Sequence, residues 1–225
     1  MCLGATHTWA GTAIGAAYGG FVMHAPPGGV ITLAAFTGAL ALWPDIDHCG
    51  SSVSRSLGLF SRGVAWIVGK ATGGHRHATH SCLGIAVTAG LAWIACRFLP
   101  SWPAEAFLAV IITFSVSGML EALKILRSHA ADLVAIGVSA LVIWRGYGLA
   151  LIPLAVLLGC SAHVAADMLT DSGCMLGFPF SKRRYHLLPE PAAFTTGTLP
   201  ERVIAAPVFL LATGLLTFHA FVPHA

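Results

Sequence analysis

Charged residues are scarce in this chain of 225 residues, at 9% of the total, whereas hydrophobic residues make up 56%. A soluble domain carries roughly 25% charged residues. So few charges cannot cover a water-exposed surface of this size, and we expect lipid to cover much of it. The formal net charge is only +3. Nucleic-acid binding needs a larger basic surface, so we do not expect a nucleic-acid partner.

Several motifs of well-known enzyme classes are missing as well. The six cysteines form no C-x-x-C pair, which disfavours a zinc knuckle or a redox motif, and we interpret them as small packing residues. The chain has no G-x-S-x-G elbow, which disfavours a serine hydrolase, and no H-E-x-x-H, which argues against a standard zincin. The first residues lack the charged region of a cleavable signal peptide.

What the chain has in abundance is apolar segments. A transmembrane helix needs about 20 mostly apolar residues. Four segments fit this length, namely Cys82–Leu99, Ala104–Leu123, Tyr147–Ala166 and Val203–Val222. Three shorter segments are Thr8–Met23, Gly29–Trp43 and Leu133–Trp144. The sequence therefore predicts an all-α fold, a polytopic transmembrane helix bundle of about five to seven spans, forming a single domain over residues 1–225.

Two local patterns refine this bundle. The first two apolar segments are separated by Pro-Pro-Gly-Gly at 26–29, a turn signal that predicts a helical hairpin, which is short for a full crossing. Gly11, Gly15 and Gly19 recur every four residues and predict a close approach of another helix, although membrane helices are rich in glycine in general. Between the second and third segments, an amphipathic interfacial helix is expected around Leu57–Val68.

The basic residues indicate an orientation. If seven spans alternate and the N-terminus lies inside, the inside loops are about 45–81, 124–132 and 167–202. Ten of the 12 Lys and Arg residues then lie inside, and only Arg97 and Arg145 lie near the outside. This asymmetry follows the positive-inside rule and predicts a cytoplasmic N-terminus. If the short fifth segment does not cross, the sides of all later loops are exchanged.

Histidines and aspartates gather at the ends of the predicted spans. Asp45, Asp47 and His48 close the second span, and His163 and Asp167 lie at the end of the sixth. The i, i+4 spacing of the last two places both side chains on one helical face. Each pattern has a simpler alternative: Asp-x-Asp is typical of a turn after a helix, and His163 and Asp167 can form a hydrogen bond without metal.

A third cluster precedes the third span. His75, His77 and His80 fall within six residues, and His77 and His80 share a face if this stretch is helical. The alternative is a solvated histidine loop in which Thr79 or Ser81 caps the helix that follows.

Together these clusters predict a metal site. His7 precedes the first span, where a lone histidine can also be an interfacial residue. In the seven-span arrangement, the candidates that lie at inner ends of spans are His7, Asp45, Asp47, His77, His80, His163 and Asp167. A mixed set of imidazoles and carboxylates suits zinc, with manganese or iron as alternatives. Seven candidates exceed the four ligands of a closed zinc site, which favours an open or dinuclear catalytic site with one or two ions.

A basic segment follows the sixth span. Lys182, Arg183 and Arg184 stand between Phe-Pro-Phe at 178–180 and Tyr185. Aromatic and basic residues together suit a surface that binds lipid headgroups, and one arginine can hold a phosphate of the substrate. The same residues can instead serve only as a topology anchor.

The order of these motifs resembles a known family. An early His is followed by Pro-Asp-Ile-Asp-His at 44–48, His-Arg-x-x-Thr-His-Ser at 75–81, His-x-x-x-Asp-x-x-Thr at 163–170, Pro-Phe at 179–180 and Thr-Gly-x-x-x-Glu at 196–201. This resembles the YdjM-like family of inner-membrane, metal-dependent hydrolases, also described as LexA-regulated. The matching positions are His7, Asp45, Asp47, His48, His75, Arg76, Thr79, His80, Ser81, His163, Asp167, Thr170, Pro179, Phe180, Gly197 and Glu201. The resemblance implies a membrane-embedded helical fold and hydrolase activity at the inner membrane.

We therefore expect a metal-dependent hydrolase that acts on a phosphoester or another ester of a membrane lipid or lipid-linked substrate. The expected metal ligands are His7, Asp45, Asp47, His80, His163 and Asp167. His48, His75 or His77 can shuttle protons, and Arg76 or the residues Lys182, Arg183 and Arg184 can hold a substrate anion. The competing hypotheses are a metal-ion transporter and a scaffold in which metal only holds helices together. The sequence does not determine the oligomeric state.

Overall fold

The computed structural model describes residues 3–127, 129–189 and 191–222, and within these ranges the chain is helical without β-strands. The described ranges contain nine α-helices: α1 (Gly4–Ala17), α2 (Pro27–Leu40), α3 (Ser52–Arg55), α4 (Leu59–Ala71), α5 (Cys82–Arg97), α6 (Trp102–Ala122), α7 (His129–Arg145), α8 (Ile152–Asp167) and α9 (Ala206–His219). The all-α prediction is confirmed, and each of the seven predicted apolar segments is a helix. The irregular segment between α8 and α9 holds two isolated β-bridges, Thr170 with Phe194 and Cys174 with Tyr185.

In the part of the chain that the structure describes, four helical stretches are long and apolar enough to cross a membrane: Pro27–Asp47, Trp102–Ala122, Leu149–Asp167 and Glu201–His219. The apolar helix α5 is shorter. The second predicted segment is longer than the sequence indicated, because α2 continues into a 3-10 turn over Trp43–Asp47. The structure thus supports four candidate spans, and the larger count of about five to seven stays a prediction.

The helices α1, α2 and α8 pack together at the centre of the bundle. α1 also packs against α9, and α6 packs against α7 and α5. Large aliphatic residues such as Leu33, Leu40, Leu108 and Ile152 are buried between these helices. In contrast, α9 buries no residue along its length, which is the exposure expected of a helix that contacts lipid.

The amphipathic helix predicted around Leu57–Val68 is present as α4. It buries Ser61 and Ala65 and exposes Phe60, Trp66 and Ile67. Exposed aromatic and aliphatic residues on one face are typical of a helix that lies in the membrane interface. α4 follows the candidate span Pro27–Asp47, with only the short α3 between them, and packs against the 3-10 turn that ends this span.

Candidate metal centre

Five of the predicted ligands come from four separate parts of the chain. His7 lies in the first turn of α1, Asp45 in the 3-10 turn after α2, His80 in the turn before α5, and His163 and Asp167 in the last turns of α8. All five side chains are buried. The structure thus brings these helix ends together, as the sequence predicted.

Glycine explains how α1, α2 and α8 approach so closely. A Cβ atom at Gly11 would lie 2.7 Å from the carbonyl oxygen of Thr37, and one at Gly15 would lie 2.8 Å from Cα of Ala34. A Cβ atom at Gly159 would likewise lie 2.7 Å from the Thr37 oxygen. α2 is thus held between two glycine-lined faces. Gly159 lies one helical turn before His163, so the contact at Gly159 brings this histidine towards α2.

The converging side chains form three overlapping groups that could hold a metal ion. The groups are His7 with Asp45 and His163, Asp45 with His75 and His80, and His80 with His163 and Asp167. Within each group, the potential ligand atoms lie within 4.8 Å of one another. Asp45 belongs to two groups, so one carboxylate can lie between two ion positions.

The orientation of His163 is fixed by the backbone of α2. Its Nδ1 atom donates a hydrogen bond of 2.6 Å to the carbonyl oxygen of Ala41. Its Nε2 atom therefore carries the lone pair, and it lies 3.1 Å from Nε2 of His80 and 3.5 Å from Oδ1 of Asp45. A backbone partner on the other ring nitrogen is characteristic of histidines that ligate metals.

The simpler alternative for His163, a hydrogen bond to Asp167, is not formed. Nε2 of His163 lies 3.7 Å from Oδ2 of Asp167, which is too long for a hydrogen bond. The ring instead stacks on the ring of His7, with the centroids 3.6 Å apart.

Asp47 occupies a different position from the other predicted ligands and belongs to none of the three groups. Its Oδ1 atom accepts a hydrogen bond of 2.8 Å from Nδ1 of His75. Its Oδ2 atom accepts a hydrogen bond from the hydroxyl of Thr79 and lies 3.6 Å from Nδ1 of His80. Asp47 thus contacts the Nδ1 sides of two histidines whose rings belong to the metal-type groups.

Arg76 lies on the other side of the cluster. Its side chain is buried, and its Nη2 atom lies 2.7 Å from Oδ1 of Asp167. Its Nη1 atom is 3.5 Å from both the Thr170 hydroxyl and the carbonyl oxygen of Gly173. Arg76 has a positive φ of 63°. This unusual backbone conformation points to a local constraint near a functional site.

Several buried polar atoms of the cluster have no hydrogen-bond partner among the described residues. These atoms are both ring nitrogens of His7, Oδ1 of Asp45 and Nε2 of His75. A buried polar group left without a partner costs about 1–3 kcal/mol. Imidazole nitrogens and carboxylate oxygens that face one another in this way fit a divalent cation, which would satisfy them together.

The charges near His80 affect its protonation. Burial disfavours the imidazolium form, but the carboxylates of Asp45 and Asp47, each 3.6 Å from the ring, outweigh burial and raise the pKa of His80 to about 9. A proton and a metal ion therefore compete for this ring.

The remaining predicted residues lie around the cluster or away from it. Nδ1 of His48 accepts a hydrogen bond of 3.0 Å from the backbone N–H of Gly50, and its ring lies 5.0 Å from that of His75. His77 packs edge-on against Phe178, with the ring centroids 5.3 Å apart. Ser81 caps α5 by accepting a hydrogen bond from the N–H of Gly84. This cap was one of the alternatives predicted for the segment before α5.

The basic segment is exposed. Lys182, Arg183 and Arg184 all have exposed side chains, and none belongs to the three metal-type groups. Arg184 donates to the carbonyl oxygen of Ser172, and the Arg183 guanidinium lies over the ring of Tyr185. Their role in substrate binding stays a prediction.

Sequence reasoning missed the two features that orient His163. The carbonyl oxygen of Ala41 carries no side-chain signal at all. Gly159 is visible in the sequence, and its spacing of four residues from His163 was the signal that could have indicated a close helix contact.

The helices and the cluster together define a class of protein, an α-helical membrane protein with a buried His/Asp centre that could bind metal at one end of its bundle. The family model of the YdjM inner membrane proteins matches residues 1–222, and the chain belongs to this family. No curated protein and no solved structure matches the chain significantly.

Proposed function

We propose that this protein is a membrane-embedded, metal-dependent hydrolase that acts on a phosphoester or another ester of a membrane-associated substrate. The observation that supports the proposal best is the meeting of buried His7, Asp45, His80, His163 and Asp167, with ligand atoms within 4.8 Å in each group. Oδ1 of Asp45 has no hydrogen-bond partner among the described residues and lies 3.6 Å from Nε2 of His80 and 3.5 Å from Nε2 of His163.

The overlap of the three groups favours two ion positions that share Asp45. Nitrogen and carboxylate ligands favour zinc, with manganese or iron as alternatives. When bound, such a metal lowers the pKa of a coordinated water towards about 7 and polarises the ester group.

The chain's own residues supply the proton chemistry. Asp47 holds Nδ1 of His75 at 2.8 Å, so Nε2 of His75 carries the lone pair. This nitrogen is buried and has no hydrogen-bond partner among the described residues, and His75 forms one metal-type group with Asp45 and His80. We assign His75 as the general base, or as a ligand of the second ion, with Asp47 as the residue that orients it.

Arg76 is assigned to positioning. Its guanidinium is buried against Asp167 rather than exposed to a substrate. The ion pair fixes one carboxylate oxygen of Asp167 and leaves the other directed towards His80 and His163.

A second function, a structural metal clip, has one observation in its favour. The ligands come from α1, the end of α2, the start of α5 and α8, so a bound ion would join all four. Metal transport has less support, because the cluster lies at helix ends rather than along a polar path.

The test is a comparison of metal content and turnover in the purified protein. Phosphatase and esterase substrates are assayed with and without a chelator. Asp45→Asn should remove bound metal and lower turnover by at least about a hundred-fold. The reason is that Asp45 belongs to two of the three metal-type groups. Asp171→Asn is the matched control, since Asp171 is an exposed acid close to the site in sequence, and it should retain both properties.

Full turnover in Asp45→Asn would refute the site. Stoichiometric metal without hydrolysis of any ester in a broad panel would favour the structural clip.

A further inference from the structure

A cavity of about 330 Å³ opens beside the metal-type cluster. It lies where the start of α1, the turn after α2, helix α3 and the end of α6 meet, and its lining includes Gly4, Asp45, His48, Ser52 and Arg55. Ligand pockets generally measure about 300–1,000 Å³, so this cavity suits a small headgroup rather than a large substrate.

Asp45 connects the cavity to the cluster. Among the residues that line the cavity, Asp45 alone also belongs to the metal-type groups. Asp45 is only 2% exposed, and it is the wall residue that the cavity and the cluster share. A substrate group held in the cavity would therefore lie next to the ion positions.

Arg55 gives the cavity its chemical character. It is the single Lys or Arg among the lining residues, its side chain is exposed, and its guanidinium forms no hydrogen bond or ion pair with any described residue. An arginine without a partner at a cavity wall is available for a fork of hydrogen bonds to phosphate oxygens. The Ser52 hydroxyl on the same wall can donate to the same anion.

The cavity also lies at the ends of two candidate spans, Pro27–Asp47 and Trp102–Ala122. Asp45, two residues before the end of the first, and Ala122, the last residue of the second, are part of its wall. A phosphate-binding site in this position could be reached by the headgroup of a lipid or by a soluble phosphoester that arrives from the aqueous side.

We infer that this cavity binds the phosphate group of the substrate and that Arg55 is the residue that recognises it. The inference rests on the proposed function and narrows its substrate class to phosphate-bearing molecules. It also replaces Lys182, Arg183 and Arg184 as the expected anion site, because these residues do not line the cavity.

The experiment measures binding of inorganic phosphate by calorimetry to the zinc-loaded protein in phosphatidylcholine nanodiscs. Arg55→Ala should weaken phosphate binding about ten-fold, because it removes charge-assisted hydrogen bonds. Arg55→Lys should lose less, since it keeps the charge but not the fork. Metal content should be unchanged in both variants, since Arg55 is not a ligand.

Two arginines elsewhere serve as controls. Arg62→Ala removes an exposed arginine on α4 outside the cavity, and Arg183→Ala removes one from the basic segment. Both variants should bind phosphate like the wild type. Wild-type affinity in Arg55→Ala, or a loss in Arg183→Ala alone, would overturn the inference.

A metal-free Asp45→Asn variant separates this inference from the proposed function. It lacks the carboxylate charge that repels an anion, so it should bind phosphate through Arg55 even if the wild type proves to hold no metal. Metal binding without phosphate binding would overturn the inference and leave the metal site intact. Nanodiscs that contain phosphatidic acid distinguish the sources: competition with inorganic phosphate indicates a lipid headgroup, and its absence indicates a soluble phosphoester.

Discussion

At the scale of single residues, the tautomers of the histidines decide which atoms can bind metal. Nδ1 of His163 is engaged by the Ala41 carbonyl at 2.6 Å, and Nδ1 of His75 by Asp47 at 2.8 Å. Nε2 of His163 therefore faces His80 and Asp45. Nε2 of His75 is buried without a hydrogen-bond partner among the described residues. Asp47 was predicted as a ligand, but its contacts with His75 and Thr79 favour the role of an orienting residue.

Metal binding should depend on pH through His80. Because nearby carboxylates raise the pKa of His80 to about 9, its ring is protonated at pH 7.5 and must lose a proton when it ligates a metal. Zinc binding at pH 7.5 should then release about one proton from this residue, and the affinity should rise as pH increases towards 9. Calorimetry in buffers of different ionisation enthalpy measures the number of protons released.

The control for this measurement is His80→Gln, which should release fewer protons and bind zinc more weakly. A zinc affinity that stays constant between pH 7 and 9 in the wild type would contradict the role of His80.

At the scale of helices, the cluster depends on the packing of α2 between α1 and α8. A Cβ atom added at Gly11, Gly15 or Gly159 would lie within 3 Å of an atom of α2. No larger residue therefore fits at these positions unless a helix moves. The predicted glycine stripe on α1 is confirmed as a contact surface at Gly11 and Gly15. Glu201 adds a further tie, since its carboxylate accepts hydrogen bonds from the backbone N–H groups of Leu3 and Gly197.

Gly159→Val should separate α8 from α2 and move His163 away from Asp45. We expect a loss of about 1–3 kcal/mol in the free energy of unfolding from overpacking, together with weaker metal binding. Thermal unfolding and metal titration in detergent measure the two effects.

Gly214→Val is the matched control, because a Cβ atom at Gly214 on α9 meets no atom within 4 Å. It should leave both stability and metal binding unchanged. Equal behaviour of the two variants would show that the α2–α8 contact does not position the site.

At the scale of the whole molecule, functional groups collect at one end of the helix bundle. The start of α1, the end of α2, the start of α5 and the end of α8 meet there, which is the arrangement that the predicted seven-span path would give. The exposed α9 and the amphipathic α4 complete a surface suited to lipid. Which side of the membrane this end faces is predicted from the basic loops alone.

We predict that the site faces the cytoplasm. In a variant with Cys49 as its single cysteine, the exposed thiol beside the site should react with a membrane-impermeant maleimide in inside-out vesicles but not in intact cells. A variant with its single cysteine at Ser101→Cys, before α6, should show the reverse pattern. Labelling of Cys49 in intact cells would contradict the orientation.

The sequence by itself determined the helical membrane fold, because its scarcity of charge and its apolar segments allow few other structures. It also predicted that His7, Asp45, His80, His163 and Asp167 would meet, since polar residues in and beside membrane spans are costly and are candidates for a functional site. The structure brings them into the groups that could hold a metal. Only the tertiary structure decided that Asp47 and Arg76 contact members of the three metal-type groups without belonging to them, and that Arg55 lines the cavity beside Asp45. Those distinctions depend on distances between side chains far apart in the chain, and no local pattern encodes such distances.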